Sequence, residues 1–199
     1  MVVLMKTIYF VRHGESTFNL EKRFAGWSDC PLTAKGNEQA REVSQRIKEF
    51  KKISKIVSSD LLRAHDTALA MGTTLNLPVT VDERLREVHL GDWEGLTMDD
   101  LERDYSELLE TWFSDPTRFR YPGGESIADM LVRVEDSIET HLKDCDTVLV
   151  VAHAGVIGNI LAKWLVGDIR KSSAFNIRNA KIQKIVIDKE YSYLDMLNG

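Results

Sequence analysis

Residues 8–19 read IYFVRHGESTFN, an apolar run that ends abruptly at Arg12 and His13. The run is too short for a helix and has the composition of a strand that is buried on both faces. Strands of this kind belong to parallel sheets, and open α/β sheets bind ligands in the crevice beyond the carboxyl ends of their strands. We therefore expect Arg12 and His13 to lie at a ligand site.

A second strand with a similar ending occurs late in the chain. Residues 146–152 read DTVLVVA and are followed by His153, Ala154 and Gly155, after which a helix is predicted through residues 160–166. A lone histidine is more often a structural residue than part of a site. Two strands that each end in a histidine close to a glycine are hard to explain by core packing, so the pair predicts one shared site.

Shorter apolar segments supply the rest of the sheet. Residues 55–58 and 77–81 are predicted strands, and residues 174–187 and 191–197 are predicted strands that complete the sheet. Arg63 falls in the first turn of the helix that follows residues 55–58, where unpaired amides and the helix dipole favour an anion.

Helix starts are marked by capping residues. Thr33 is the predicted N-cap of a helix whose apolar stripe runs to residue 50, and Ser126 or Glu125 is the candidate cap of a helix from Ile127 to about Leu142.

Strands thus alternate with helices, and polar residues collect in the loops at strand ends. This pattern predicts an α/β fold, a three-layer sandwich with a mostly parallel central sheet. No linker marks a boundary, so we predict a single domain over residues 1–199 in which residues 96–122 form a small helical cap over the pocket. The candidates for an apolar rim, or for the core of this cap, are Tyr105, Trp112, Phe113, Phe119 and Tyr121.

Composition excludes several classes of protein. The chain has 199 residues and a net charge of −5, so no global positive field attracts nucleic acid or an anionic membrane, and local cations must hold an anionic substrate. Cys30 and Cys145 fit no metal-ligand spacing and are predicted to be reduced thiols. Residues 1–5 lack the features of a secretory signal, and no apolar run approaches the roughly 18 residues of a membrane span. A cytoplasmic protein is expected.

Two arginines, two histidines and a carboxyl group fit the transfer of a phosphoryl group. Guanidinium groups bind phosphate oxygens bidentately, and an imidazole nitrogen can attack phosphorus and carry the phosphoryl group. A carboxyl group can protonate the leaving alkoxide and then activate water, while fixed charges rather than a metal stabilise the transition state. Glu87 and Glu94 are the carboxyl candidates.

Five ordered motifs resemble the histidine phosphatase superfamily, in its phosphoglycerate-mutase-like branch. They run from the first strand to the last in the order of that family. The motifs are Arg12-His13-Gly14-Glu15 with Asn19, Ser58-Ser59 with Arg63 and Thr67-Ala68, Leu85-Arg86-Glu87 with Gly91 and Glu94-Gly95, Gly123-Gly124-Glu125-Ser126, and Ala152-His153-Ala154-Gly155.

The resemblance implies a role for each matching residue. His13 would be the nucleophile that becomes phosphohistidine, and Glu87 would be the proton donor. Arg12, Arg63 and His153 would bind the phosphoryl oxygens. Neither a metal nor a bound cofactor is implied. The further phosphate-binding candidates are Asn19 and the amides near Ala154 and Gly155, and the candidates for pocket lining are Glu15, Gly26 and Ser126.

The implied activity is that of a metal-independent phosphoric monoester hydrolase of the histidine acid phosphatase type, acting on a small phosphorylated metabolite. One alternative is a 2,3-bisphosphoglycerate-dependent phosphoglycerate mutase, since residues 23–27 resemble the mutase loop. Against it, the segment between Glu87 and Tyr121 lacks the basic insertion of mutases, and residues 90–95 resemble the phosphatase motif. A catalytically weak phospho-ligand-binding or regulatory module would require a gap in the catalytic set, and none is visible. The metabolite and the oligomeric state stay open.

Overall fold

The computed structural model describes residues 5–50, 52–188 and 191–199. Within these residues six strands form one sheet. They are β1 (Lys6–Arg12), β2 (Lys55–Ser58), β3 (Val79–Val81), β4 (Thr147–Ala152), β5 (Ile182–Ile187) and β6 (Ser192–Met196). The strand order is β3-β2-β4-β1-β5-β6. The first four strands in this order run parallel, whereas β5 is antiparallel to β1 and β6 is antiparallel to β5.

Helices connect and cover the strands. The α-helices are α1 (Thr17–Leu20), α2 (Ala34–Arg46), α3 (Leu62–Leu75), α4 (Met98–Asp104), α5 (Ser106–Ser114), α6 (Ile127–Leu142) and α7 (Ala154–Leu161). Short helical turns occur at Ile47–Glu49, Glu83–Leu85, Gly91–Trp93, Ala162–Val166 and Ile169–Ala174.

The sheet separates two apolar cores, as the alternation of side chains along β1 shows. Tyr9 and Val11 pack into a core with residues of α2 and α3, whereas Ile8 and Phe10 pack into a core with residues of α6 and α7. Every residue of β4 is buried because the strand is central in the sheet and covered on both faces. The predicted three-layer α/β fold with a mostly parallel sheet is confirmed.

Local signals placed most elements correctly. Helix α6 spans Ile127–Leu142, and Thr33 caps α2 by accepting the Gly36 N–H at 2.9 Å. The prediction that a strand begins at residue 174 is wrong, since β5 begins at Ile182. The preceding segment instead crosses the end of β1, where the Ala180 N–H donates to the Arg12 carbonyl at 2.9 Å.

Helices α4 and α5 lie in the predicted cap segment and share a core with the sheet. The indole of Trp93 is fully buried at the centre of this region, and Leu101 and Leu109 belong to the same core as the sheet residue Phe10. Aromatic side chains surround Trp93 at ring-centroid distances of 5.2 to 6.3 Å, namely Phe24, Tyr105, Trp112, Phe119 and Tyr121. Phe113 differs from these because its side chain is 67% exposed. The single domain over residues 1–199 stays a prediction, which this shared core supports.

Two further features bear on the sequence expectations. Among the described residues, no helix combines the length and the apolar character that crossing a membrane requires. Cys30 and Cys145 are both free. The expectation about a secretory signal falls mainly on residues 1–4, which lie outside the described residues.

Candidate active site

The two histidines predicted to form a site meet at the carboxyl ends of β1 and β4. These strands are parallel neighbours in which Arg12 pairs with Ala152, so His13 and His153 follow at the same level of the sheet. The two imidazole centroids lie 5.2 Å apart. Both side chains are buried, at 3% and 0% exposure. The parallel register therefore creates the pair, as the matching strand endings predicted.

A cavity of about 580 Å³ opens beside His13. Arg12 and His13 reach it from β1, Arg63 from the first turn of α3, and Glu87 from the loop after the turn at Glu83–Leu85. His153 is not part of the lining. Other predicted site residues that line the cavity are Asn19, Gly26, Ala154 and Gly155.

Hydrogen bonds define which nitrogen of His13 is free to react. Nδ1 lies 2.7 Å from the Gly14 carbonyl oxygen, so it carries the hydrogen that this acceptor requires. In the neutral ring Nε2 then holds the lone pair. The backbone on either side is fixed as well, because Thr67 Oγ1 accepts the Gly14 N–H at 3.0 Å and Asn179 Nδ2 donates to the His13 carbonyl at 3.0 Å.

Burial and nearby cations keep both imidazoles neutral. Burial lowers the pKa of His13 well below its usual value of 6.5, and the positive charges of Arg63 and Arg12 lower this pKa further. Burial, together with Arg63, has the same effect on the pKa of His153. A neutral imidazole keeps the free lone pair that a nucleophile requires.

These lowered pKa values predict an acid-sensitive fold. Unfolding exposes His13 and His153, which then take up protons that the folded protein excludes, so stability must fall as the pH drops below about 6.5. Each histidine contributes a slope of about 1.4 kcal/mol per pH unit between that value and its folded pKa. Urea unfolding of the wild type and of His13→Asn, from about pH 7 to about pH 5 without phosphate, measures the slope. In His13→Asn the slope should be smaller by the part that one histidine contributes. An unchanged slope would contradict the lowered pKa of His13.

Arg63 is buried and Arg12 is half-buried, and neither has a carboxylate partner among the described residues. Arg63 is 1% exposed, and its Nη1 and Nη2 donate to the carbonyls of Ser28 at 2.9 Å and Gly26 at 2.7 Å. Arg12 Nη1 donates to the Ile177 carbonyl at 2.8 Å, while its buried Nε has no partner among the described residues. No carboxylate in the described part of the chain lies within ion-pair distance of either guanidinium.

Their electrostatic environment favours an anion. Burial lowers the pKa of Arg12, Glu87 acts in the opposite direction, and the adjacent positive charge of Arg63 lowers this pKa again. Arginine nevertheless stays protonated in proteins. Two positive charges close together, one buried and one half-buried, are costly unless an anion compensates them, so the cavity fits a ligand that carries negative charge.

The carboxyl group of Glu87 is held by backbone amides. Its Oε2 accepts the Gly155 N–H at 3.0 Å, and its Oε1 accepts the Val88 N–H at 3.0 Å. A Cβ atom on Gly155 would lie 2.5 Å from Glu87 Oε1, so a larger residue here would displace the carboxyl group from its present position. Each carboxyl oxygen has two lone pairs, so these bonds leave capacity for a proton.

Comparison with known proteins agrees with this geometry. Residues 8–199 match the histidine phosphatase superfamily (branch 1). The chain belongs to this superfamily. It is 33% identical over 183 residues, 91% of this chain and 85% of the relative, to a protein of Enterobacter sp. (strain 638) named probable phosphoglycerate mutase GpmB.

Solved structures of the superfamily superpose on nearly the whole chain. A mycobacterial glucosyl-3-phosphoglycerate phosphatase, Rv2419c, is 32% identical with a TM-score of 0.84, covering 98% of this chain and 99% of that one. The α-ribazole phosphatase from Shigella flexneri is 27% identical with a TM-score of 0.86, covering 97% and 96%. Both a mutase name and phosphatase names therefore occur among the relatives.

Three residues that the resemblance to this superfamily placed at the site have other partners. The Glu15 carboxylate lies outside the cavity lining, where it accepts from Thr33 Oγ1 at 2.9 Å and pairs with Lys35 at 2.8 Å. Ser126 is also outside the lining and caps α6 by accepting the Asp129 N–H at 3.2 Å. Gly155 lines the cavity, but its N–H is already bound to Glu87, so this amide is not available to phosphate.

The side chains of Asn19 and Glu94 accept hydrogen bonds from the backbone. Asn19 lines the cavity and also closes the start of α1, where its Oδ1 accepts the Ser16 N–H at 3.2 Å. Glu94, the second carboxyl candidate, is not part of the lining, and its Oε1 accepts the Trp27 N–H at 2.8 Å. Glu87 is thus the carboxyl candidate that reaches the cavity.

Sequence reasoning missed several residues of the cavity wall. These are Asn159, Arg170, Ser172 and Ser173. Arg23 also lines the cavity, and it belongs to the segment of residues 23–27 that resembles the mutase loop. The serines and Arg170 belong to the turn at Ile169–Ala174, in a region for which no site was expected. Only Asn159 carried a local signal, since it lies one helical turn after Gly155 and donates to its carbonyl at 2.8 Å.

Proposed function

We propose that the protein is a metal-independent phosphatase that hydrolyses small-molecule phosphate monoesters through a phosphohistidine at His13 Nε2. One observation carries this proposal. The buried guanidinium of Arg63 and the half-buried guanidinium of Arg12 have no carboxylate partner among the described residues, and both stand at a cavity beside a neutral imidazole with a free lone pair. A phosphate monoester supplies the missing negative charge and the electrophilic phosphorus together.

The reaction proceeds in two displacements. His13 Nε2 attacks phosphorus, the bond from phosphorus to the ester oxygen breaks, and the Glu87 carboxyl group gives its proton to the leaving alkoxide. In the second step the Glu87 carboxylate removes a proton from water as the water oxygen attacks phosphorus. The P–N bond breaks, inorganic phosphate forms and neutral His13 returns. Arg12 and Arg63 bind the phosphoryl oxygens. Because the negative charge stays on these oxygens in both steps, the same two arginines stabilise both transition states.

His153 is proposed to donate a hydrogen bond to the same phosphoryl group. Its Nε2 lies 3.0 Å from Ser59 Oγ, and its buried Nδ1 has no partner among the described residues. Ser59 Oγ accepts the Leu61 N–H, which leaves the hydroxyl hydrogen to donate to His153 Nε2. The ring hydrogen is then on Nδ1, the atom that needs an acceptor.

The wall beyond the phosphoryl group favours hydrolysis over a mutase reaction. It includes the apolar side chains of Phe24, Leu90, Trp112, Phe113 and Ile127. A mutase must hold a second anionic group there while its bisphosphorylated intermediate turns around. The wall also contains two cations, but Arg23 pairs with Glu21 at 2.7 Å and Arg170 with Asp168 at 2.8 Å.

A phosphoglycerate mutase is the second candidate. Arg23 and Arg170 would bind the second anionic group if they exchanged their carboxylate partners for it. The relative named probable phosphoglycerate mutase GpmB supports this reading. The complete catalytic set argues against a module that only binds phosphorylated ligands.

The purified protein should release phosphate from a panel of monoesters in the presence of a chelator. The panel includes 3-phosphoglycerate with a trace of 2,3-bisphosphoglycerate, and both free phosphate and 2-phosphoglycerate are measured. Phosphate release without isomerisation is the expected result. Formation of 2-phosphoglycerate without phosphate release would instead establish the mutase, and inactivity in both assays would favour the binding module.

A further inference from the structure

The loop of residues 26–30 touches both functional parts of the site. The carbonyls of Gly26 and Ser28 accept hydrogen bonds from Arg63, as described above. Between them lies Trp27, whose indole Nε1 donates to the backbone carbonyl of Glu87 at 2.7 Å. The same loop therefore fixes a phosphoryl-binding arginine and the backbone of the proton donor.

A second side chain donates to that carbonyl from another part of the fold. Arg133 on α6 donates from Nη2 to the Glu87 carbonyl at 2.7 Å, and from Nη1 to the carbonyls of Arg86 at 2.7 Å and Arg84 at 2.8 Å. Its guanidinium is held in turn by the carboxylate of Glu125. Arg133 thus orders the chain that leads into Glu87.

Trp27 and Arg133 also support each other. The Trp27 ring stacks on His89 with centroids 4.5 Å apart, and the guanidinium carbons of Arg86 and Arg133 lie 4.8 Å and 5.7 Å from its centroid. Cations at these distances are attracted to the indole face. The ring is therefore fixed in the orientation that aims Nε1 at the Glu87 carbonyl.

We propose that Trp27 and Arg133 are positioning residues for the proton donor. Neither side chain lines the cavity. By binding the Glu87 carbonyl from two separate elements, they fix the backbone from which the carboxyl group projects into the cavity. Because general acid catalysis requires hydrogen-bond distance to the leaving oxygen, a shift of about 1 Å can cost on the order of 100-fold in rate. This inference rests on the proposed phosphatase function.

The test uses two substrates that differ in their need for an acid. A primary alkyl phosphate releases a strongly basic alkoxide that must be protonated, whereas para-nitrophenyl phosphate releases a stable phenolate. The ratio kcat/KM reports phosphoryl transfer to His13, the step in which the leaving group departs. Trp27→Phe and Arg133→Lys should lower kcat/KM by about 10-fold or more for the alkyl ester, but by no more than about threefold for the aryl ester.

Trp164→Phe is the matched control. It also removes an indole donor, in this case a hydrogen bond from Nε1 to Glu135 Oε1 at 3.0 Å, and Trp164 does not line the cavity. The kcat/KM of this variant should stay within about twofold of the wild-type value for both substrates. Thermal unfolding of all variants identifies any loss of folded protein, and Arg133→Lys decides the test if Trp27→Phe does not fold.

A double-mutant cycle separates positioning from general damage. In a Glu87→Gln background no acid remains to be positioned, so adding Trp27→Phe should cost almost nothing further on the alkyl ester. The positioning role would be overturned if kcat/KM fell equally for both esters or fell for neither. It would also be overturned if the losses in kcat/KM were additive in the cycle. A wild-type protein that releases phosphate from neither ester would overturn the proposed function, and this inference with it.

Discussion

His13→Asn is expected to lose phosphate release by at least about 10⁴-fold while keeping its fold. Asparagine places an amide nitrogen near the position of Nδ1, where it can still donate to the Gly14 carbonyl. It offers no lone pair at the position of Nε2, so phosphorus has no nucleophile. Steady-state phosphate release, with circular dichroism as the measure of folding, checks this result.

The covalent intermediate provides a more direct measurement. Wild-type protein mixed with substrate and quenched in neutral denaturant should show a mass increase of one phosphoryl group, and His13→Asn should show none. His65→Asn is the matched control, because this imidazole lies on α3 outside the cavity lining and its variant should still form the intermediate. A phosphorylated His13→Asn protein would mean that another residue is the nucleophile.

Glu87→Gln should lower kcat/KM for alkyl phosphates by about 10² to 10⁴-fold. The amide can accept only one of the two hydrogen bonds from Val88 and Gly155, and it has no proton to give to an alkoxide. The loss on para-nitrophenyl phosphate should be much smaller, because that leaving group departs without protonation. Steady-state kinetics with both esters measures the difference.

Glu15→Gln is the control for the loss of a nearby carboxylate. Glu15 follows the same strand end as His13 but pairs with Lys35 and Thr33 outside the cavity lining. Its replacement should change kcat/KM by no more than about threefold for either ester. If Glu87→Gln lost the same factor on both esters, Glu87 would act in binding rather than as the proton donor.

The sequence alone was enough to place His13 and His153 at the ends of buried strands. The runs before His13 and His153 are apolar throughout, so they must lie inside a sheet covered on both faces, and the polar residue after each run must emerge at its edge. Local signals likewise placed Arg63 in the first turn of α3 and Thr33 at the start of α2. These features depend on residues that are neighbours in the chain.

Only the tertiary structure decided which polar groups are free to act. Glu15, Ser126 and the Gly155 N–H match the motifs of the superfamily, yet each is occupied by a hydrogen-bond partner inside the protein. The Glu87 carbonyl accepts hydrogen bonds from Trp27 and Arg133, which lie 60 and 46 residues away in the chain. Motif spacing cannot reveal such contacts, because a hydrogen bond between distant residues forms only where packing brings donor and acceptor within about 3 Å.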